Sequence, residues 1–338
     1  MRIRSIQDLE QALTRFRSRT GFAISDDGAL GVSLRQVGGR KFFAHLLSSP
    51  GKEKGWGVPL GTVRFFTKRT MVPRDFDGRE AEFVRYNKPD LIPFPETHSV
   101  LLRFSRVAGS DETLMHGVRE NRLAEFLAER RKLDQLPKLD GVIPPVVALA
   151  SAVTSLRPHL TARTLIVLKG PQTTRYIAIR DGRLVNAFDD IHRPDQKEAG
   201  GRFRRTFQRV LWHMESEGLG GMPEFILMLG DPSVQAWAED ARRLAGGATT
   251  EFFDLPAEVG MTIPAGTAAD AAILALGAAF AARSPNLSEL NFMALPRATA
   301  ARRFDAYDLV IYGSMAVMLA LSYVTLNSAI AGRIQLLN

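Results

Sequence analysis

The stretch Leu309 to Gly332 reads LVIYGSMAVMLALSYVTLNSAIAG and holds no Asp, Glu, Lys or Arg. As a helix, these 24 residues would span about 36 Å, enough for a hydrocarbon core of about 30 Å. The alternative is a helix buried in a large core, but such helices rarely run this long without a charge. The expectation is a single C-terminal transmembrane helix over residues 309–331. Arg297, Arg302 and Arg303 precede the run, whereas only Arg333 follows it. The excess of cations on one side places residues 1–308 in the cytoplasm and leaves 332–338 as a short periplasmic tail. Tyr312 suits an interfacial anchor. The run lies too far along the chain to be a signal peptide, and the first residues contain no apolar stretch of that kind.

The remaining sequence must build a body. Of 338 residues, 45% are apolar and 24% charged, so a packed core is affordable and disorder is excluded as the main state. Cysteine is absent, which removes disulfide scaffolds, thiolate metal sites and cysteine nucleophiles. The net charge of +8 suits a polyanion, an acidic partner or an anionic membrane face. His45, His98, His116, His159, His192 and His213 never fall at metal-ligand spacing, so no metal site is expected. Neither a G-x-x-x-x-G-K-S/T loop, a G-x-G-x-x-G loop nor a G-x-S-x-G elbow occurs. Gly55-Trp56-Gly57 with Gly61 has the wrong spacing for a dinucleotide loop and reads as an ordinary loop.

Hydrophobic periodicity gives a mixed α/β body. Ser5–Phe16 reads as a short amphipathic helix, with Ile6, Leu9, Leu13 and Phe16 on one face. Gly21–Ile24, Leu30–Arg35 and Lys41–Leu47 read as three antiparallel strands, separated by Asp26-Asp27-Gly28 and Gly38-Gly39. Thr62–Phe66 and Val100–Phe104 are further strands. Asp75–Tyr86, Arg119–Leu136 and Pro144–Leu156 are helices. A second block repeats this grammar: strands at Thr164–Leu168, Thr174–Arg180 and Arg183–Phe188, then helix Phe203–Glu217, strand Phe225–Leu229, helix Val234–Ala245, strand Thr250–Asp254 and helix Ala268–Ala282. Each half opens on antiparallel hairpins and closes on helices. The pattern argues for an internally duplicated body, although the two halves share negligible identity.

That grammar resembles the actin-like ATPase fold, and particular residues narrow the resemblance. Glu80–Tyr86 followed by Leu91-Ile92-Pro93-Phe94-Pro95 looks like the helix-then-IPFP segment of the type IV pilus assembly family PilM. The DGVIPPVVAL stretch within Leu139–Leu149, the hairpin Thr164–Val185 and Ala275-Leu276-Gly277-Ala278-Ala279 are similar to further PilM segments, in the same order. The likeness covers about residues 20–283. Leu290-Asn291-Phe292-Met293-Ala294-Leu295-Pro296 is similar to the INLLP peptide of PilN, which in that family precedes a membrane helix and docks on PilM. An actin-like body ahead of a membrane helix in one chain also resembles GspL of type II secretion.

With residues 1–20 as an N-terminal helix, the resemblance implies 21–162 and 163–286 as two actin-like lobes, and 287–308 as a linker whose Asn291, Phe292, Leu295 and Pro296 bind a partner surface. It also implies where ATP and magnesium would sit. The first phosphate turn would be Ile24-Ser25-Asp26-Asp27-Gly28, the second Leu168-Lys169-Gly170-Pro171-Gln172, and the adenosine-side turn Leu229-Gly230-Asp231. All three depart from the family pattern: the first Asp is displaced, the second turn has no Asp and a Pro without an amide donor, and two glycines of the third are missing. Gly28, Gly170 and Gly230 therefore read as turn glycines, and a degenerate site without a cofactor is expected. Arg202, Arg204, Arg205 and Arg209, with Arg130, Arg131 and Lys132, read as a solvated face near anionic lipid, because neither a helix-turn-helix nor aromatic interleaving supports nucleic acid.

The expected function is an inner-membrane scaffold of a pilus or type II secretion platform. It would be a homo-oligomer that links a cytoplasmic motor ATPase to other platform subunits. An active actin-like ATPase or kinase and a membrane-anchored DNA-binding regulator are the alternatives.

Overall fold

The computed structural model describes residues 19–37, 41–48, 53–95, 97–106, 112–132, 137–158, 160, 162–192, 199–216 and 221–293, with the single residues 314, 318 and 322. The helix expected at Ser5–Phe16 lies outside these residues. One compact unit runs to Ala294, and residues from Leu295 onward form a second unit.

The first half begins with strands β1 (Arg19–Ser25), β2 (Gly28–Val37), β3 (Lys41–Leu46) and β4 (Lys54–Pro59). An insertion follows: β5 (Phe65–Met71), helix α1 (Glu80–Asn87), β6 (Val100–Arg106), β7 (Glu112–Arg119) and helix α2 (Glu120–Lys132). Strand β8 (Lys138–Val142) completes a sheet of order β3-β2-β1-β4-β8, and helix α3 (Pro145–Leu156) closes the half. The inserted strands form their own sheet, β5-β7-β6.

The second half contains β9 (Thr164–Lys169), β10 (Thr173–Arg180), β11 (Arg183–Ile191), α4 (Ala199–Ser216), β12 (Phe225–Gly230), α5 (Ala238–Leu244), β13 (Thr249–Phe252), α6 (Leu255–Val259) and α7 (Ala269–Ala281). Its sheet order is β11-β10-β9-β12-β13. The two large sheets share one plan. The first strand pairs antiparallel with the second and parallel with the fourth, and the fifth lies beyond the fourth.

One core joins the halves. Helix α7 packs on β1, β2 and β4 of the first sheet, while α3 lies against α7 and touches β10 and β11 of the second. Val146, Leu149 and Val153 of α3 share a cluster with Ile273 and Leu276 of α7, Val32 and Leu34 of β2, and Ile177 and Ile179 of β10. Such a contact needs a side-chain-free crossing. A Cβ on Gly277 would overlap the Ala148 carbonyl oxygen, and one on Gly21 would overlap the Ala275 carbonyl oxygen. The glycines let backbone meet backbone, and the alanine-rich helices gain apolar burial on every side.

The outer faces of the two sheets are covered differently. In the second half α4 and α5 cover the outer face through Phe203, Phe207, Val210, Leu211 and Ala241. In the first half only residues 47–53 separate β3 from β4, too few for a helix like α4. There Leu123 and Phe126 of α2, Val118 of β7 and Phe292 complete the cluster with Phe22 and Ile24.

Several expectations need correction. Gly55-Trp56-Gly57 is no loop but the middle of β4, beside β1 at the centre of the sheet. Its glycines are required by crowding: a Cβ on Gly55 would overlap the Thr20 carbonyl, and one on Gly57 would come within 2.8 Å of Ile24 Cδ1. The strand expected at Thr62–Phe66 starts later, at Phe65. The helix expected over Asp75–Tyr86 is interrupted at Gly78, which has φ +80°, and resumes as α1. Residue Arg119 ends β7 rather than starting a helix, and Lys138–Val142 is a strand that the sequence pattern did not show. The helix expected over Val234–Ala245 begins as a 3-10 turn, Pro232–Trp237, capped by Asp231.

Among the described residues, no helix is long and apolar enough to cross a membrane. The run expected to span 309–331 lies outside them except for Ser314, Met318 and Ser322. These three have helical backbone, and the Ser322 hydroxyl donates to the Met318 carbonyl at 2.8 Å.

Candidate functional site

Gly28, Gly170 and Gly230 all fall at or next to strand ends. Gly28 has φ +138° at the β1–β2 turn, a conformation that other residues adopt only with strain. The Ser25 hydroxyl donates to the Gly28 carbonyl at 3.2 Å and accepts from the Asp27 N–H at 3.3 Å. Arg130 of α2 donates to the Asp26 carbonyl and lies 3.9 Å from its carboxylate, with its own side chain largely buried. The first turn is thus tied down by a cation of the same chain.

The second turn, at Gly170, follows Lys169 of β9, which pairs with Gly230 of β12. Gly230 has φ +104°, and a Cβ on it would overlap the Lys169 carbonyl. Gly170 N–H donates to the Thr173 carbonyl at 2.9 Å, and Pro171 has no amide proton to offer. The carboxylate of Asp270, in the first turn of α7, sits directly on Gly170. Asp270 is buried, which raises its pKa, and the Arg175 charge partly offsets that rise. Lys169 donates to Ser233 and lies 4.5 Å from the Trp237 ring centroid. Asp231 accepts from Ser233, which holds its carboxyl below the usual range.

The groups around the second turn are engaged with one another. The Gly170 amide is already used, the next residue lacks one, and a buried carboxylate stands against the turn. Among the described residues, no group of three or more His, Cys, Asp or Glu is placed to hold a metal ion. His192 and Asp190, near the same end of the sheet, are engaged otherwise. The His192 ring meets the Thr174 hydroxyl at 2.9 Å, and Asp190 is held by Arg202 at 2.5 Å.

A second site lies on the free edge of the first sheet. Strand β8 is its last strand, and residues 291–293 line that edge. Phe292 N–H donates to the Val142 carbonyl at 2.8 Å, and Val142 N–H donates to Asn291 Oδ1 at 3.0 Å. Asn291 Nδ2 donates to the Asp140 carbonyl at 3.2 Å, and Oδ1 also accepts from Met293 N–H at 2.9 Å. One asparagine side chain therefore plays the part of a strand residue. A Cβ on Gly141 would meet that side chain at 2.8 Å, so the strand must carry glycine there.

Phe292 is 5% exposed. Its ring meets Phe65 edge-on, centroids 5.2 Å apart, and Arg103 lies 5.7 Å from its centroid. Arg103 Nε also donates to the Asn291 carbonyl at 3.0 Å, and burial lowers the Arg103 pKa. Leu290 is buried in the core shared by the lobes. The structure thus brings together Asn291 and Phe292 of the expected partner-binding set. Leu295 and Pro296 lie outside the described residues. Sequence reasoning missed Arg103, Asp140, Val142 and Phe65. An arginine inside the apolar strand VLLRFSR was the one local sign of any of them.

The basic segments also divide. Arg202 is bound to Asp190 and Arg204 to Asp240 at 2.7 Å, so both pin helix α4 to its own half. Arg130 holds the first turn.

Two sheets of identical strand order, with the closing helices of the two halves packed between them, define the actin-like ATPase fold. A solved PilM–PilN type IV pilus biogenesis complex shares this fold at 14% identity and TM-score 0.54, over 80% of this chain and 100% of that one. A Bacteroides thetaiotaomicron protein with an actin-like ATPase fold and unknown function aligns at 9% identity and TM-score 0.40, over 73% and 94%. The ethanolamine utilization protein EutJ of Carboxydothermus hydrogenoformans aligns at 14% and 0.35, over 78% and 89%. No protein-family model and no curated protein matches the sequence.

Proposed function

We propose that the chain is a non-catalytic scaffold of a type IV pilus or type II secretion platform. In this reading it is anchored in the bacterial inner membrane by residues 309–331, with its body in the cytoplasm. The observation that carries the reading is the seating of Asn291 and Phe292 on β8. A segment resembling a PilN peptide lies on a body resembling PilM, within one chain, and the fold is that of a solved PilM–PilN complex. Its task is to hold partners: a cytoplasmic motor ATPase, other platform subunits and further copies of itself. The tied first turn and the carboxylate at Gly170 support a body that does not hydrolyse ATP.

Two measurements test this. Deleting the gene in the source bacterium should abolish surface pili or type II secretion, and the intact chain should restore them. A deletion strain that keeps both would refute the scaffold reading. Magnesium-ATP should leave the melting temperature unchanged. A nucleotide at a hundred times its Kd would add about 2.7 kcal/mol, about 5–10 °C for a body of this size. A shift of that order with ATP turnover would favour the ATPase reading instead.

A further inference from the structure

Helix α4 buries Phe203, Phe207, Val210, Leu211 and Met214 against the second sheet. Its opposite face is unusual. Arg205, Gln208, Arg209 and Trp212 are all exposed there, Trp212 at 61%. Positions 205, 209 and 212 follow one another at helical spacing, so two guanidinium groups and an indole form a stripe about 10 Å long. Arg205 and Arg209 make no ion pair among the described residues, in contrast to Arg202 and Arg204 beside them. Helix α5 carries further cations. Asp240 bridges Arg204 and Arg243, the latter at 3.0 Å, and Arg242 and Arg243 are exposed.

An indole on the solvent face of a basic helix gains nothing from water. It gains at a lipid interface, where its apolar body and polar N–H are both satisfied. Arginine forks match phosphodiester oxygens. From this geometry we infer that the α4 face, Arg205, Arg209 and Trp212, docks on an anionic bilayer surface, with the indole at the headgroup level and the arginines on lipid phosphates. The choice of lipid over other polyanions rests on the proposed membrane span. Residues 294–308 would tether the body within at most about 50 Å of the bilayer, so the lipid surface is present at high effective concentration.

The test uses the full chain with vesicles rich in phosphatidylglycerol or made of phosphatidylcholine alone, both containing lipids brominated near the headgroup. The signal is the tryptophan quenching that Trp212→Phe removes, which separates Trp212 from Trp56 and buried Trp237. Quenching should appear in anionic vesicles, weaken with salt and be slight in neutral ones. Arg205→Gln with Arg209→Gln should shift the docked-to-free ratio by about 25-fold, at about fivefold for each arginine near an anionic surface. All variants should keep the parent melting temperature.

Carbonate extraction of the same vesicles reads the span separately. A carbonate-resistant chain whose Trp212 is not quenched overturns the docking face and leaves the span. Quenching in a chain that carbonate removes supports the face and overturns the span. Protection of Trp212 by duplex DNA or by polyglutamate, without lipid quenching, overturns the proposal in favour of a nucleic-acid or acidic-protein face.

Discussion

Replacing Phe292 by Ala removes the one aromatic ring that segment 290–293 supplies to the outer core of the first lobe. The ring is 5% exposed and packs beside Phe22, Ile24, Val118 and Phe126. Phe-to-Ala changes in such sites cost about 3–5 kcal/mol, the lost transfer energy plus the cavity left behind. The neighbouring helix cannot close the gap freely, because Leu123 and Phe126 are themselves buried. For a body of this size the loss corresponds to about 6–20 °C in melting temperature. If the segment peels away instead, the loss stops at the free energy of docking. The free end then becomes a substrate for proteases, and the Val142 amide loses its Asn291 acceptor. Thermal unfolding of the full chain, limited proteolysis at residues 285–304 and hydrogen exchange at Val142 read these outcomes together. A melting temperature within about 2 °C of the parent, with unchanged cleavage, would refute the claim that the segment is part of the body.

Asn291→Ala should cost about 1–3 kcal/mol, the penalty for a buried N–H left without an acceptor, and should not add in full to Phe292→Ala because the two share one dock. His116 is fully buried between the Thr67 and Ser105 hydroxyls, and burial pushes its pKa down from 6.5 to about 4. It stays neutral in the fold while the unfolded chain takes up a proton below pH 6.5. Stability should therefore fall by about 3 kcal/mol as pH drops from 6.5 to 4; urea titrations should show this slope, and His116→Gln should flatten it. Gly277→Val should cost more than about 3 kcal/mol, since the new side chain meets the α3 backbone; a soluble variant with a parent-like melt would disprove the crossing. Deleting 309–331 should abolish carbonate-resistant membrane association, and Leu319→Arg should weaken insertion by about 2.5–3.5 kcal/mol.

Strands bordered by turn chemistry were legible in the sequence. The hairpin at Asp26-Asp27-Gly28 could be read because Asp and Gly suit a tight turn, and Gly28 has φ +138°. The amphipathic face of α4 was legible from its apolar period. Strand β4 was not. Its glycines weaken the local strand signal and make sense only beside Thr20 and Ile24, which are distant in sequence. Strand β7 carries a buried histidine and a glycine among apolar residues, and its pairing with β5 and β6 is set by the sheet, not by its own pattern. At the candidate site, Asn291 and Phe292 stood out through their likeness to the PilN peptide. Their acceptors and donors on β8 are backbone groups, which carry no signature in side-chain identity. The Asp270 carboxylate at Gly170 was equally hidden, because it comes from a helix almost at the end of the body.

The placement of α7 has a kinetic consequence. The inner face of the first sheet is made by strands synthesised well before its cover, the helix Ala269–Ala281. Until that helix arrives, Ala23, Val32 and Leu34 have no lid, and the first lobe cannot finish alone. Contacts closing over almost the full length of the body belong to the slow class of folding topologies. The nascent first half therefore travels with an open apolar face. A chaperone that binds such faces should engage this chain during synthesis and let go only once Ala269–Ala281 has been made.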